Sequence, residues 1–200
     1  MMLIEETVVP DTSLPVEEFK AHLRLGTGFG DETLQDPVLL SFLRASLSSI
    51  EARTGRVLFE RGFLWSITRW QSDDAQVLPV APVSTLNRVT LVSKASDETD
   101  VNLAKLRLVR ADQQPCIVAL TSRLPAIPSG GSVDIRFKAG WGPAWSDMPA
   151  DLCQAVLMLA AHYYEFRSET SLSEGCMPFG VTSLIERYRH VRIGFGGSNA

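Results

Sequence analysis

Three histidines, three cysteines and one glycine-rich loop are the groups in this 200-residue chain best suited to chemistry, and none has the neighbours that chemistry requires. Metal binding needs ligands that converge at fixed spacing. His22, His162 and His190 lie far apart and form no H-x-x-x-H, H-E-x-x-H or Cys/His pattern. His162 falls on the polar line of an otherwise apolar helical segment, where a hydrogen-bonded histidine is expected in place of a base. Cys116, Cys153 and Cys176 are odd in number and contain no C-x-x-C pair, so they read as reduced structural thiols. Gly26-x-Gly28-x-Gly30 would let backbone amides approach a phosphate. It follows a helical pattern and not a strand, no Lys-Ser/Thr closes it, and no βαβ unit comes after it, so it reads as an interhelical loop. With no G-x-S-x-G elbow either, a small cytoplasmic hydrolase or nucleotide-binding enzyme would have only this loop and His162 to rest on.

Aromatic and basic residues interleave at Trp65, Arg69 and Trp70, and again at Tyr188, Arg189, His190 and Arg192. Such groups form stacking platforms for single strands when they line a positive groove. The formal charge of -4 and pI near 5.4 weigh against a phosphate-neutralising surface, so the tryptophans read as core. The charge is also uneven. Residues 1 to 36 hold eight acids against Lys20 and Arg24, a net of -6, while Glu186 to Arg192 carries +2. Two solvated faces of opposite sign is the plain reading; complementary contacts between copies or with a partner is the functional one.

The elements that must position these groups are legible from periodicity and punctuation. A first helix is expected from about Pro15 to Leu25, with Val16, Phe19 and Leu23 on one side. A second has Asp36 as N-cap, Pro37 at the first position, Gly55 past its end, and a buried stripe of Leu39, Leu43, Leu47 and Ile50. From Arg56 to about Gly140 the period becomes alternating. Phe63, Trp65 and Ile67 share a face, and so do Val133, Ile135 and Phe137, which suits an antiparallel sheet with one wet side. Further strands are expected at Gln76 to Leu78, Leu86 to Val92, Leu106 to Val109 and Ile117 to Leu120.

A third helix should run from Pro149 or Ala150 to about Arg167. At about 100° per residue its polar line is confined to Asp151, Gln154, Met158, His162 and Glu165. A helix so nearly apolar needs protein around it, and a neighbouring subunit is one source. A short helix, Val181 to Tyr188, comes last, before a glycine-rich end from Gly194 to Ala200. The start lacks a basic and apolar leader pattern, so no signal peptide is expected. The longest strongly apolar run, Ala155 to Ala161, falls well short of the about 20 residues that span a bilayer. Synthesis in the cytoplasm follows.

The order of the pieces carries more information than any one of them. Phe19-Lys20-Ala21-His22-Leu23-Arg24 precedes a helix ending Glu51-Ala52-Arg53-Thr54-Gly55-Arg56. A strand block closes on Phe137-Lys138-Ala139-Gly140-Trp141-Gly142; Met148-Pro149-Ala150-Asp151-Leu152 opens the helix of His162-Tyr163-Tyr164-Glu165; Pro178-Phe179-Gly180-Val181 and Tyr188-Arg189 finish the series. From about residue 13 to 192 this resembles the head-tail connector (adaptor) proteins of long-tailed bacteriophages and phage-derived gene transfer agents.

The resemblance implies an α+β fold: a helical core of three to four helices with an inserted antiparallel β-rich subdomain. It divides the chain into residues 1–55, the N-terminal helical part of a connector domain; 56–142, the β-rich subdomain; 143–193, the closing helices and docking segment; and 194–200, a flexible tail. It implies a dodecameric ring beneath the portal protein that lengthens the DNA channel without gripping DNA and presents a surface to a tail-side stopper or tail terminator protein. It implies no enzyme, cofactor, metal or membrane. The portal interface would fall on Tyr188, Arg189, Val191, Arg192 and Ile193, and removal of residues 187 to 200 is expected to abolish attachment while leaving the fold intact.

Overall fold

Helix α2 (Asp36–Thr54) shows how local sequence sets an element here. Pro37 sits in the first turn, where its missing N–H costs no helical bond, and Gly55, at φ +68°, closes the other end with its N–H on the Glu51 carbonyl at 2.8 Å. Leu39, Leu43, Leu47 and Ile50 are all buried, as their spacing predicts. The cap differs by one residue: Gln35 holds that position, and Asp36 lies inside the first turn, where its carboxylate meets Lys20 Nζ at 2.7 Å. The computed structural model describes residues 2–25, 35–167 and 177–189.

Helix α1 (Val16–His22) starts after Pro15, as expected, but stops short of Leu25, because Arg24 takes a left-handed conformation (φ +54°) and turns the chain. Helix α3 (Ala150–Glu165) matches its expected span to within two residues, and α4 (Phe179–Ile185) runs into a 3-10 turn, Glu186–Tyr188. The polar line of α3 is wet only in part. Helix α4 lies over part of it, so close that a Cβ on Gly180 would stand 2.8 Å from Met158 Cε, and Asp151 meets the turn that follows; Gln154 and Glu165 remain exposed. The surround that α3 requires comes from α1, α2 and α4 of the same chain.

Among the described residues eight strands form: β1 Met2–Glu5, β2 Arg61–Ile67, β3 Ala75–Val77, β4 Val83–Val92, β5 Glu98–Asp100, β6 Leu106–Val109, β7 Cys116–Ala119 and β8 Ser132–Ala139. Every pairing between these strands is antiparallel, in a five-stranded sheet ordered β1-β2-β8-β4-β5 and a three-stranded sheet ordered β3-β7-β6. Register follows the alternation: Phe63, Trp65 and Ile67 stand opposite Phe137, Ile135 and Val133, and all six are buried. The Phe63 and Phe137 rings stack with centroids 5.7 Å apart. Strands β1 and β5 have no alternating signal; both are edge strands exposed along their length and held by pairing to β2 and β4.

The buried side chains form two clusters. One gathers the helices together with Leu58, Phe59 and Met148; the other gathers the sheets around Trp65, Ile117, Ile135 and Phe137. Two of the chain's passages between them lie on adjacent segments, residues 55–61 and 139–148. There Glu60 N–H donates to the Gly142 carbonyl at 2.8 Å and Trp141 N–H to the Leu58 carbonyl at 3.2 Å. Gly140 (φ +130°) permits this approach, because a Cβ there would lie 2.4 Å from Glu60 Cα. Arg61 fastens the joint: it meets Glu51 of α2 at 2.6 Å and Glu5 of β1 at 2.9 Å. Burial opposes its charge, but the two carboxylates outweigh that and raise its pKa.

Candidate functional site

The C-terminal end of the described chain is built around Tyr188. The 3-10 turn brings the ring back onto α3, where it is 7% exposed and packs edge-on against Trp141 at 6.3 Å between centroids. Its hydroxyl donates to Asp151 Oδ1 at 2.7 Å and accepts from Arg187, which also pairs with Asp151 Oδ2 at 2.8 Å and lies over the Tyr188 ring. Burial pushes the phenol pKa up, the Arg187 hydrogen bond pulls it down, and Asp151 adds to the rise. On the main chain, the Tyr188 carbonyl accepts from Arg56 Nε at 3.2 Å. Arg189 follows, pairing with Glu186 at 3.3 Å.

Of the residues expected at a portal interface, Tyr188 is therefore an internal anchor and Arg189 stands at the surface, while Val191, Arg192 and Ile193 lie outside the described residues. The truncation expected to spare the fold needs correction: removing residues 187 to 200 would take out Arg187 and the buried Tyr188. A cut that spares this anchor falls beyond Arg189. The sequence gives no warning of Asp151, Trp141 and Arg56 as its partners, since each contact joins distant segments. Asp151 did stand on the polar line of α3.

The other candidates that fall among the described residues are ordinary structural groups. His22 is exposed, and His162 packs against Phe166 at 4.7 Å. His190, Cys176 and Gly26, Gly28 and Gly30 lie outside the described residues. Cys116 and Cys153 are free and half-buried, and burial pushes the Cys153 thiol up, toward the unreactive protonated form. Among the described residues no cluster of His, Cys, Asp and Glu could hold a metal, and no helix is long and apolar enough to cross a membrane. Trp65 is buried in the sheet core and Trp70 Nε1 donates to the Pro125 carbonyl at 2.7 Å, as core packing requires. Both line an open cleft of about 1080 Å³ beside Arg69.

The acidic N-terminal stretch is not a bare face. Glu5 pairs with Arg61, Glu6 with Arg136, Asp11 with Arg44, and Glu17 and Asp36 with Lys20. The Arg44 guanidinium also holds the Val9 carbonyl at 2.9 Å, steering the chain from β1 across α2 toward α1. These five acids, and Arg187 and Arg189 at the other end, are engaged first within the subunit.

No protein-family model matches the chain, and no curated protein does. Solved structures do. A chain in the neck of an empty gene transfer agent (GTA) particle, computed with C6 symmetry, is 52% identical with a TM-score of 0.90 over 98% of this chain and 99% of that one. A chain in the virion of a native GTA particle is also 52% identical, with a TM-score of 0.87 and the same coverage. A third, in the neck of a native GTA particle computed with C12 symmetry, is 48% identical with a TM-score of 0.85. Identity of this size along nearly the whole of both chains relates the chains themselves and not merely their folds, and it agrees with the ordered motifs from Phe19 to Arg189: the chain belongs to the head-tail connector (adaptor) family of long-tailed bacteriophages and phage-derived gene transfer agents.

Proposed function

We propose that this chain is a structural, non-enzymatic head-tail connector subunit. Copies form a dodecameric ring beneath the portal protein, extend the DNA channel, and offer the attachment surface for a tail-side stopper or tail terminator protein. The subunit is made in the bacterial cytoplasm and ends in the particle at the head-tail junction. Residues 1–55 and 143–193 make the connector domain, 56–142 its β-rich insertion, and 194–200 the tail.

The observation that carries this reading is the 52% identity, over 98% of the chain, to a protein of a GTA particle neck. The C6 and C12 symmetries of the related necks support a ring. A closed ring needs two different complementary surfaces on each subunit. The formal charge of -4 suits a channel that passes DNA without gripping it. Portal contact is made by the segment that leaves the subunit after Tyr188, with Arg189, Val191, Arg192 and Ile193 as its contact residues and Tyr188 as its anchor.

Negative-stain imaging of particles made without this protein tests the role. DNA-filled heads lacking tails are expected; normally tailed particles would overturn it.

A further inference from the structure

Two arginines are nearly buried at the joint between the cores, and they are used differently. Arg61 meets carboxylates, the usual way to neutralise a charge removed from water. Arg56, 5% exposed, directs its hydrogen bonds to main-chain carbonyls: Nε to that of Tyr188 at 3.2 Å, and Nη1 to that of Asp112. Asp112 lies in the loop between β6 and β7 of the small sheet, and Tyr188 is the penultimate described residue. Rooted just past the end of α2, one guanidinium therefore ties the β-rich part to the last described turn.

The base of that side chain is fixed. Gly55 closes α2, Ala81 N–H donates to the Gly55 carbonyl at 3.3 Å, Val57 N–H donates to the Ala81 carbonyl at 2.8 Å, and Arg56 N–H donates to Thr54 Oγ1 at 3.2 Å. With the backbone tied on both sides, the planar fork has little freedom to follow a moving partner; the partner must conform to it. Contacts to carbonyls constrain the path of the main chain whatever the side chains do.

We propose that Arg56 is the positioning residue of the C-terminal docking segment: by holding the Tyr188 and Asp112 carbonyls together, it sets the direction in which the chain departs at Arg189. This rests on the reading that the segment beyond Arg189 makes the portal contact. A segment launched in one direction loses less conformational freedom on docking, and apparent affinity scales with the fraction of molecules already competent to bind. Lysine carries the charge but is a point donor and cannot span both carbonyls as a fork.

The test is capture of the full-length chain by purified portal rings, comparing wild type, Arg56→Met, Arg56→Lys, a chain ending at Arg189, and Val133→Ala as a remote destabilised control. Arg56→Met is expected to bind about tenfold more weakly, Arg56→Lys to fall between it and wild type, and the control to bind normally once melting temperatures are matched. If the chain ending at Arg189 binds like wild type, the docking end itself is wrong. If that chain fails to bind while Arg56→Met binds normally, the docking end stands and the role of Arg56 is refuted. Should Arg56→Met not fold, Arg56→Lys decides: unchanged capture overturns the proposal, and weaker capture with an unchanged control supports it.

Discussion

Tyr188 donates a 2.7 Å hydrogen bond to Asp151, a residue 37 positions earlier in the first turn of α3. This bond makes the last described turn part of the helical core. Tyr188→Phe keeps the ring against Trp141 and leaves Asp151 with Arg187, so only the hydroxyl is lost. A stability loss of about 1.5 kcal/mol is expected from the urea midpoint, since bonds to charged groups sit above the average hydrogen bond. No measurable change would mean that the hydroxyl is satisfied equally well by water.

The same pair gives a signature at alkaline pH. The folded-state pKa of Tyr188 is raised, so the folded chain holds the phenolic proton more tightly than the unfolded chain does. The stabilisation is complete below the ordinary tyrosine value, about 10, and is lost as pH rises through the folded value. Urea midpoints of wild type and Tyr188→Phe, measured from pH 8 to 11, should converge above about pH 10. A gap that stays constant across that range would rule out the linkage.

Gly140 and Gly130 both have positive φ, at +130° and +72°, but only Gly140 is pressed against backbone. Gly140→Ala would set a methyl 2.4 Å from Glu60 Cα and N, whereas at Gly130 the nearest atom is Lys94 Cδ at 3.6 Å. Gly130→Ala should cost about 1 kcal/mol, the strain of a left-handed alanine, and Gly140→Ala more than about 3 kcal/mol. Thermal melts of both variants provide the comparison. Equal costs would mean that the close approach of residues 60 and 140 is not part of the fold.

Helix α2 offers a control within one element. Leu43 is fully buried and Val38, five residues earlier and so on another side of the helix, is 45% exposed. Leu43→Ala should lose about 2 to 5 kcal/mol and Val38→Ala less than about 0.5 kcal/mol. Chemical denaturation of the two separates the buried stripe from the exposed side, and similar losses would contradict the assigned face.

Periodicity made α2 and the β2–β8 pair readable, because each buries one face and the burial is written into every second, third or fourth residue. The same logic failed for β1 and β5, where no face is buried and pairing to a neighbour holds the strand. The polar line of α3 was legible as a line, but not what covers it: α4 lies over Met158 and the turn after α4 meets Asp151, both from far along the chain. The site was least legible of all. That Arg56 is buried against two carbonyls depends on where Asp112 and Tyr188 return to in space, and a chain of single residues carries no mark of that.

Two of the crossings between the cores, residues 55–61 and 139–148, run side by side and are cross-linked by main-chain hydrogen bonds between residues 58 and 141 and between 60 and 142. A single connecting strand would let the β-rich part swivel about its bonds; a paired connection resists torsion. Load applied to the sheets is therefore delivered to the helices as torque and not dissipated in a loose linker.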